Sequence, residues 1–253
     1  MRQRPPRILI VRLSALGDVI HALPVLQALR EALPDARIDW VVEDRAADLL
    51  TGREELDQVV VFPRRELRAL RFRPVAWTRR VSRFVLELRE RGYDSALDLQ
   101  GNLKSGVIAR LSGAPRRFGL DRSLSREGNY LFTTLRIRPP RSVTHRVERN
   151  LALASRMLGR PAEWLDPGLP SAPAAAAEAR RLLLEAGVGE GRPYVVLHPG
   201  TSRLGAFKRW PSERFADLDT LLAPRGLAVV VTAPPGEEDL AEAVAARSAG
   251  TAV

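Results

Sequence analysis

No cysteine occurs among the 253 residues, which excludes a disulfide framework and a thiolate metal site. Histidine is scarce: His21, His145 and His198 are spread without metal-ligand spacing, so a zinc site built by the protein is not expected. No apolar run approaches the ~20 residues that span a bilayer. Ile8 to Val11, behind the basic, proline-bearing Met1 to Arg7, is too short for a signal-peptide core. The chain therefore reads as cytoplasmic. Lysine is nearly absent: of 40 basic side chains only Lys104 and Lys208 are lysine. Where either cation would serve, arginine has replaced it. The two survivors are expected to mark places where a slim ammonium stem is not exchangeable for a planar guanidinium; chance survival is the bland alternative.

The formal net charge is +10, which calls for anionic partners. Ten arginines crowd between Arg64 and Arg91. A phosphorylated substrate or an anionic membrane surface fits that field; a plain solvated face is the bland alternative. Nucleic acid is not expected, because the interleaved aromatics it needs are few. Phe72, Trp77 and Phe84 are the candidates in this stretch, and Phe84 belongs to an apolar helix face with Val81, Val85 and Leu88.

Ile8 to Val11 is a short unbroken apolar run, as expected of a strand buried on both faces of a parallel sheet. A helical pattern follows with Ile20, Leu23, Leu26, Leu29 and Leu33 on one side; Pro24 kinks it or opens its second segment. Strands are expected at 38–42, 59–62 and 96–99, and helices at 81–91, 105–111 and 145–158. Such alternation predicts a doubly wound α/β domain over residues 1–158. Prolines 161, 167, 170 and 173 and an alanine-rich helix make 159–192 a linker. A second unit over 193–253 reads strand, helix, strand, helix. It is shorter than the ~100–150 residues of a usual domain, so it is expected to be incomplete and the chain shortened.

Directly after the first strand comes Ser14-Ala15-Leu16-Gly17-Asp18-Val19-Ile20-His21-Ala22-Leu23-Pro24. Asp39-Trp40-Val41-Val42-Glu43, the stretch from Asp98 to Ser105, Ser125-Arg126-Glu127 and His145-Arg146-Val147-Glu148-Arg149 follow. The set closes with His198-Pro199-Gly200-Thr201 through Lys208-Arg209-Trp210-Pro211. In this order, over about Arg7 to Ala246, the segments resemble the ADP-heptose:lipopolysaccharide heptosyltransferase family. Trp40 to Glu43 is closest to the members that add the first heptose to Kdo. The resemblance implies a GT-B glycosyltransferase of two Rossmann-like domains, the first taking the acceptor and the second the nucleotide sugar, with inversion at the sugar. The family's Asp-Thr/Ser-Gly-x-x-His motif is not in the chain and is expected past Val253.

An inverting transfer needs a base for the acceptor hydroxyl and stabilisation for a departing diphosphate. From spacing, Asp18 either projects a carboxylate into a cleft behind Gly17 or caps the next helix. The resemblance implies the first, placing the general base at Asp18. It also implies that Lys208 meets the donor phosphates, with no metal or cofactor, and that the hydroxyls of Thr201 and Ser202 bind the donor. Turn chemistry is the plain alternative for those two. Glu237, with Glu238 left open, aligns with a glutamate that takes the ribose hydroxyls. Ser14, Lys104, Arg126, His145 and Arg149 are placed on the anionic Kdo-lipid A type acceptor; ion pairing is the alternative for the cations. His21 reads as structural. Arg209, beside Lys208, reads as outside the contact, so exchanging it for lysine should cost little.

The expected function is transfer of L-glycero-D-manno-heptose from ADP-heptose to the Kdo inner core of lipopolysaccharide, at the anionic inner-membrane surface. Another nucleotide-sugar donor stays open, and so does a module that binds an anionic glycolipid or membrane without turnover.

Overall fold

The computed structural model describes residues 4–169, 172–201, 207–234 and 236–248. They form two compact units, divided between Pro170 and Ser171.

The first unit runs β1 (Arg7–Val11), α1 (Leu16–Ile20), α2 (Leu23–Ala32), β2 (Arg37–Glu43), β3 (Gln58–Phe62), α3 (Arg64–Ala69) and α4 (Pro74–Glu90). It continues with β4 (Ser95–Asp98), α5 (Leu103–Leu111), β5 (Arg116–Leu120), β6 (Leu135–Ile137) and α6 (Arg146–Leu158). The six strands are all parallel, in the order β3-β2-β1-β4-β5-β6. The chain winds outward from β1 in one direction and then from β4 in the other. The crevice above the junction of β1 and β4 is the place where such sheets bind ligands.

Strand periodicity explains the apolar runs. Ile8, Ile10, Ile38 and Trp40 point to the side covered by Val25, Leu26 and Leu29 of α2 and by Leu151 and Ala154 of α6. Leu9, Val11 and Val41 point to the side covered by Phe84 and Leu88 of α4 and by Ile108 and Ala109 of α5. Both faces are dry, so most central-strand positions are apolar; the buried Asp39 of β2 is an exception, and it accepts from the Tyr93 hydroxyl at 2.8 Å. Trp40 keeps its one polar atom satisfied by donating to Arg12 O at 3.1 Å.

Pro24 opens a second helical segment, one of the two outcomes expected, in the first turn where a missing N–H costs nothing. Two features differ from the expectation. α4 begins at Pro74 rather than near residue 81, because Arg79 and Arg80 interrupt the apolar rhythm that would reveal its first turns. Strands β5 and β6 were not expected: Arg116-Arg117-Phe118 and Leu135-Arg136-Ile137 are short and basic. Gly119 is required in β5, since a Cβ there would run into the Thr133 side chain.

The second unit runs α7 (Pro173–Glu185), β7 (Tyr194–Leu197), α8 (Ser212–Leu222), β8 (Ala228–Val231) and α9 (Glu238–Ala245). β7 and β8 pair in parallel. Val229 and Val244 are buried, whereas Tyr194 and Val196 of β7 are about half exposed. The expected linker is divided between the two units. Residues 159–169 belong with the first, where Ala162 N–H donates to Ser155 Oγ at 2.9 Å and Arg53 donates to Pro167 O at 3.0 Å and Gly168 O at 2.5 Å. Helix α7 belongs with the second.

Candidate active site

The site of the first unit is assembled by two loops leaving adjacent strands. At the end of β4, the buried Asp98 carboxylate accepts from the N–H groups of Gln100 and Gly101, both at 3.0 Å. It also accepts from the Ser105 hydroxyl at 2.9 Å and from Asn129 Nδ2 at 2.7 Å. Burial pushes the Asp98 carboxyl above its ordinary range, and the four donors pull it back. Asn102 and Ser105 cap α5 reciprocally. The loop thus fixed presents Gln100, whose Oε1 accepts from Leu13 N–H at 2.8 Å and Ser14 N–H at 3.3 Å. One rigid loop therefore positions the other.

Asp18 stands in the first turn of α1. Its Oδ2 meets Arg12 Nη2 at 2.6 Å and lies 3.4 Å from Ala15 N–H; its Oδ1 meets Arg146 Nη1 at 3.0 Å. Asp18 closes the turn from within α1, at its third position rather than as the N-cap, and it lines a polar cleft. Arg12 lies behind it, 3% exposed, donating also to Leu99 O at 2.5 Å. Burial lowers the Arg12 guanidinium from its ordinary value, against the pull of Asp18. The cleft is about 280 Å³, and Ser14, Asp18, Arg126, Arg146 and Arg149 are among its walls. Asn150 ties α6 to this corner by donating to His21 O at 3.1 Å.

Three of the five expected acceptor residues meet here: Ser14, Arg126 and Arg149. His145 does not; it precedes α6, exposed, with its ring 5.7 Å from that of His21. Nor does Lys104. Its ammonium pairs with Glu43, whose other oxygen takes Arg64 at 2.5 Å. Glu43 ends β2 almost fully buried, and a buried carboxylate needs such partners. Lys104 instead lines a separate apolar cavity of about 420 Å³ with Phe62, Trp77 and Leu103. Arg12, Gln100, Arg146 and Asn150 were not singled out in the sequence. The one available signal was Arg12, a cation directly behind a fully apolar strand.

In the second unit Arg209 is the hub. Its Nε donates to Thr201 Oγ1 at 3.1 Å, and Nη2 donates to Thr201 O at 2.7 Å and Glu237 Oε1 at 2.6 Å. The sequence reading sets Arg209 outside the diphosphate contact; in the structure its planar fork joins two of the expected donor residues. The other oxygen of Glu237 is buried and has no hydrogen-bond partner among the described residues. It lies where a Cβ on Gly200 would sit 2.8 Å away, so glycine at 200 lets it keep this position. Glu238 points elsewhere, exposed, and the Gly236 N–H at 2.8 Å holds its carboxyl below the usual range. Lys208 is exposed, its ammonium 5.5 Å from the centre of the Phe207 ring. Ser202 lies outside the described residues. Among the described residues no three His, Cys, Asp or Glu side chains converge as a metal site would require.

The model of glycosyltransferase family 9 (heptosyltransferase) matches residues 81–252, more than half of the chain. The chain belongs to this family. Lipopolysaccharide heptosyltransferase 1 of Pseudomonas aeruginosa is 32% identical over 226 residues, covering 88% of this chain and 59% of that protein. The enzyme of the same description from Escherichia coli K12 is 30% identical over 241 residues, covering 94% and 72%. The chain thus spans between about three fifths and three quarters of the length of these relatives. Among solved structures, E. coli heptosyltransferase WaaC with ADP-2-deoxy-2-fluoro heptose aligns with a TM-score of 0.71 at 29% identity, over 98% of this chain and 75% of that one. The α/β, GT-B type architecture implied by the resemblance is the architecture matched.

Proposed function

We propose that the chain acts as an inverting heptosyltransferase, moving L-glycero-D-manno-heptose from ADP-heptose to the Kdo inner core of lipopolysaccharide. The first unit takes the acceptor and the second takes the nucleotide sugar. One observation carries the reading: Asp18 faces the cleft while its buried partner Arg12 stands behind it. A carboxylate so held is directed at whatever enters among Arg126, Arg146 and Arg149, and those cations suit an anionic sugar acid.

In the transfer, the acceptor hydroxyl gives its proton to Asp18 as its oxygen bonds to the anomeric carbon. The bond from that carbon to the diphosphate breaks, and its electron pair leaves with ADP. Lys208 offsets the charge growing on the diphosphate. Glu237, through its unpartnered oxygen, accepts from the ribose hydroxyls, and Arg209 holds Glu237 and Thr201 in register. Because the acceptor is a glycolipid, the chain works in peripheral contact with the anionic inner-membrane surface. No described helix is long and apolar enough to cross a membrane.

The test is ADP release on mixing the chain with ADP-heptose and a Kdo-lipid A acceptor. Release that requires both substrates supports the reading. Release only with a different sugar nucleotide transfers it to another donor. Acceptor binding without release from any donor leaves a glycolipid-binding module.

A further inference from the structure

The hairpin of α3 and α4 carries a surface that the cleft chemistry leaves unused. Between Arg64 and Arg83 the chain has eight arginines and one acid, Glu66. Three of these arginines face carboxylates: Arg64 meets Glu43, Arg65 lies 3.7 Å from Asp44, and Arg80 meets Glu66. Arg68, Arg71, Arg73 and Arg79 are exposed. Among them, where the two helices join, Phe72 is 80% exposed and Val75 82%. The Arg71 guanidinium sits 4.5 Å over the Phe72 ring. Trp77 is 41% exposed and also lines the apolar cavity with Leu67 and Val81, which anchors the tip to the body of the unit.

An apolar tip set in a field of guanidiniums narrows the choice of partner. Water disfavours Phe72 and Val75 side by side on a surface. Nucleic acid would use the arginines and the Trp77 ring, but offers nothing for Val75 and Pro74. The boundary of an anionic bilayer uses all of them: apolar side chains enter at acyl depth, aromatics sit at headgroup level, and cations meet lipid phosphates. We propose that the α3–α4 hairpin docks on an anionic phospholipid bilayer, with Phe72 and Val75 inserted and Arg68, Arg71, Arg73 and Arg79 against the headgroups. This rests on the peripheral-membrane reading given above and names the surface that makes the contact.

Sedimentation with phosphatidylcholine vesicles, with and without phosphatidylglycerol, tests it at physiological salt. The chain should partition onto the anionic vesicles only, and less as salt rises. The triple variant Arg71→Gln, Arg73→Gln, Arg79→Gln should lose about a hundredfold in partition, at about fivefold per arginine. Phe72→Ser with Val75→Ser, which changes no charge, should lose more than about tenfold while the thermal unfolding curve stays in place. The same charge removed elsewhere, at the exposed Arg160, Arg180 and Arg192, should cost no more than about twofold. If the chain binds anionic vesicles and both hairpin variants bind equally well, the surface is wrong and the membrane reading stands. If the unaltered chain ignores anionic vesicles, both fall. If single-stranded oligonucleotide displaces the vesicles through the same arginines while the Phe72 and Val75 changes are silent, the partner is nucleic acid and the proposal is overturned.

Discussion

Each unit holds a carboxylate with an arginine at a loop beyond a strand, yet the two pairs are built in opposite senses. In the first, Arg12 is 3% exposed and Asp18 29%; in the second, Arg209 is 27% exposed and Glu237 20%. The two carboxylates are partnered differently: both oxygens of Asp18 face a guanidinium, whereas one oxygen of Glu237 has no hydrogen-bond partner among the described residues. The first unit therefore sets a carboxylate held by two arginines at the wall of a cleft that Arg126 and Arg149 also line. The second offers a carboxylate oxygen without a donor, close against Gly200, suited to receiving hydroxyls. Similar residues thus give different chemistry according to whether the carboxylate keeps an oxygen without a donor.

The largest effect should come from breaking the first pair on its exposed side. Asp18→Asn keeps the shape and much of the turn-closing ability, and should cut turnover by ~10²–10⁴, the range for a lost general base. Acceptor affinity should stay near normal. Steady-state ADP release with calorimetry on the acceptor measures both; turnover within a few-fold of the unaltered chain would sink the base assignment.

Breaking it on the buried side should injure stability instead. Arg12→Lys can keep one of the two contacts, and the lysine that keeps Asp18 leaves the Leu99 carbonyl without this donor. A loss of about 1–3 kcal/mol is expected from that unmade bond. In a unit of this size each kcal/mol moves the midpoint by roughly 2–4 °C, so differential scanning calorimetry should show the first unit melting well below its normal temperature. An unmoved midpoint would mean the guanidinium is not holding the loop.

The fold was legible wherever burial forces a pattern. β1, β2 and β4 read as apolar runs because both faces of the sheet are covered there, the edge strand β3 read from its three valines, and α2 read from its single apolar side. β5 and β6 were hidden because they are short and carry arginines that stay outside the core, and the start of α4 because its first turns face water. The site was legible to the level of loops: the Asp18 turn, the segment after β4 and the Thr201 segment all lie where expected. Side-chain direction was not. Nothing in the spacing tells that Lys104 turns to Glu43, or that Arg209 rather than its neighbour grips Thr201 and Glu237. Direction is set by tertiary partners far along the chain, such as Glu43, 61 residues from Lys104.

The smallest effects sharpen the second pair and decide between two adjacent cations. If arginine survived at 209 only by genomic drift, Arg209→Lys should be silent and Lys208→Arg harmful, as the scarcity of lysine suggests. The geometry reverses part of this. Arg209 makes three contacts with one planar fork, which an ammonium cannot reproduce. Arg209→Lys should therefore weaken donor binding by about 1–3 kcal/mol, through loss of the Thr201 and Glu237 alignment. Lys208 stands exposed beside Phe207, where a guanidinium keeps the charge and can still swing toward a diphosphate, so Lys208→Arg should cost under about 1 kcal/mol, mainly in turnover. Calorimetry with ADP-heptose and single-turnover kinetics on both exchanges separate the cases. A silent Arg209→Lys beside a crippled Lys208→Arg would return the donor site to the lysine and leave the Arg209 cluster a structural brace.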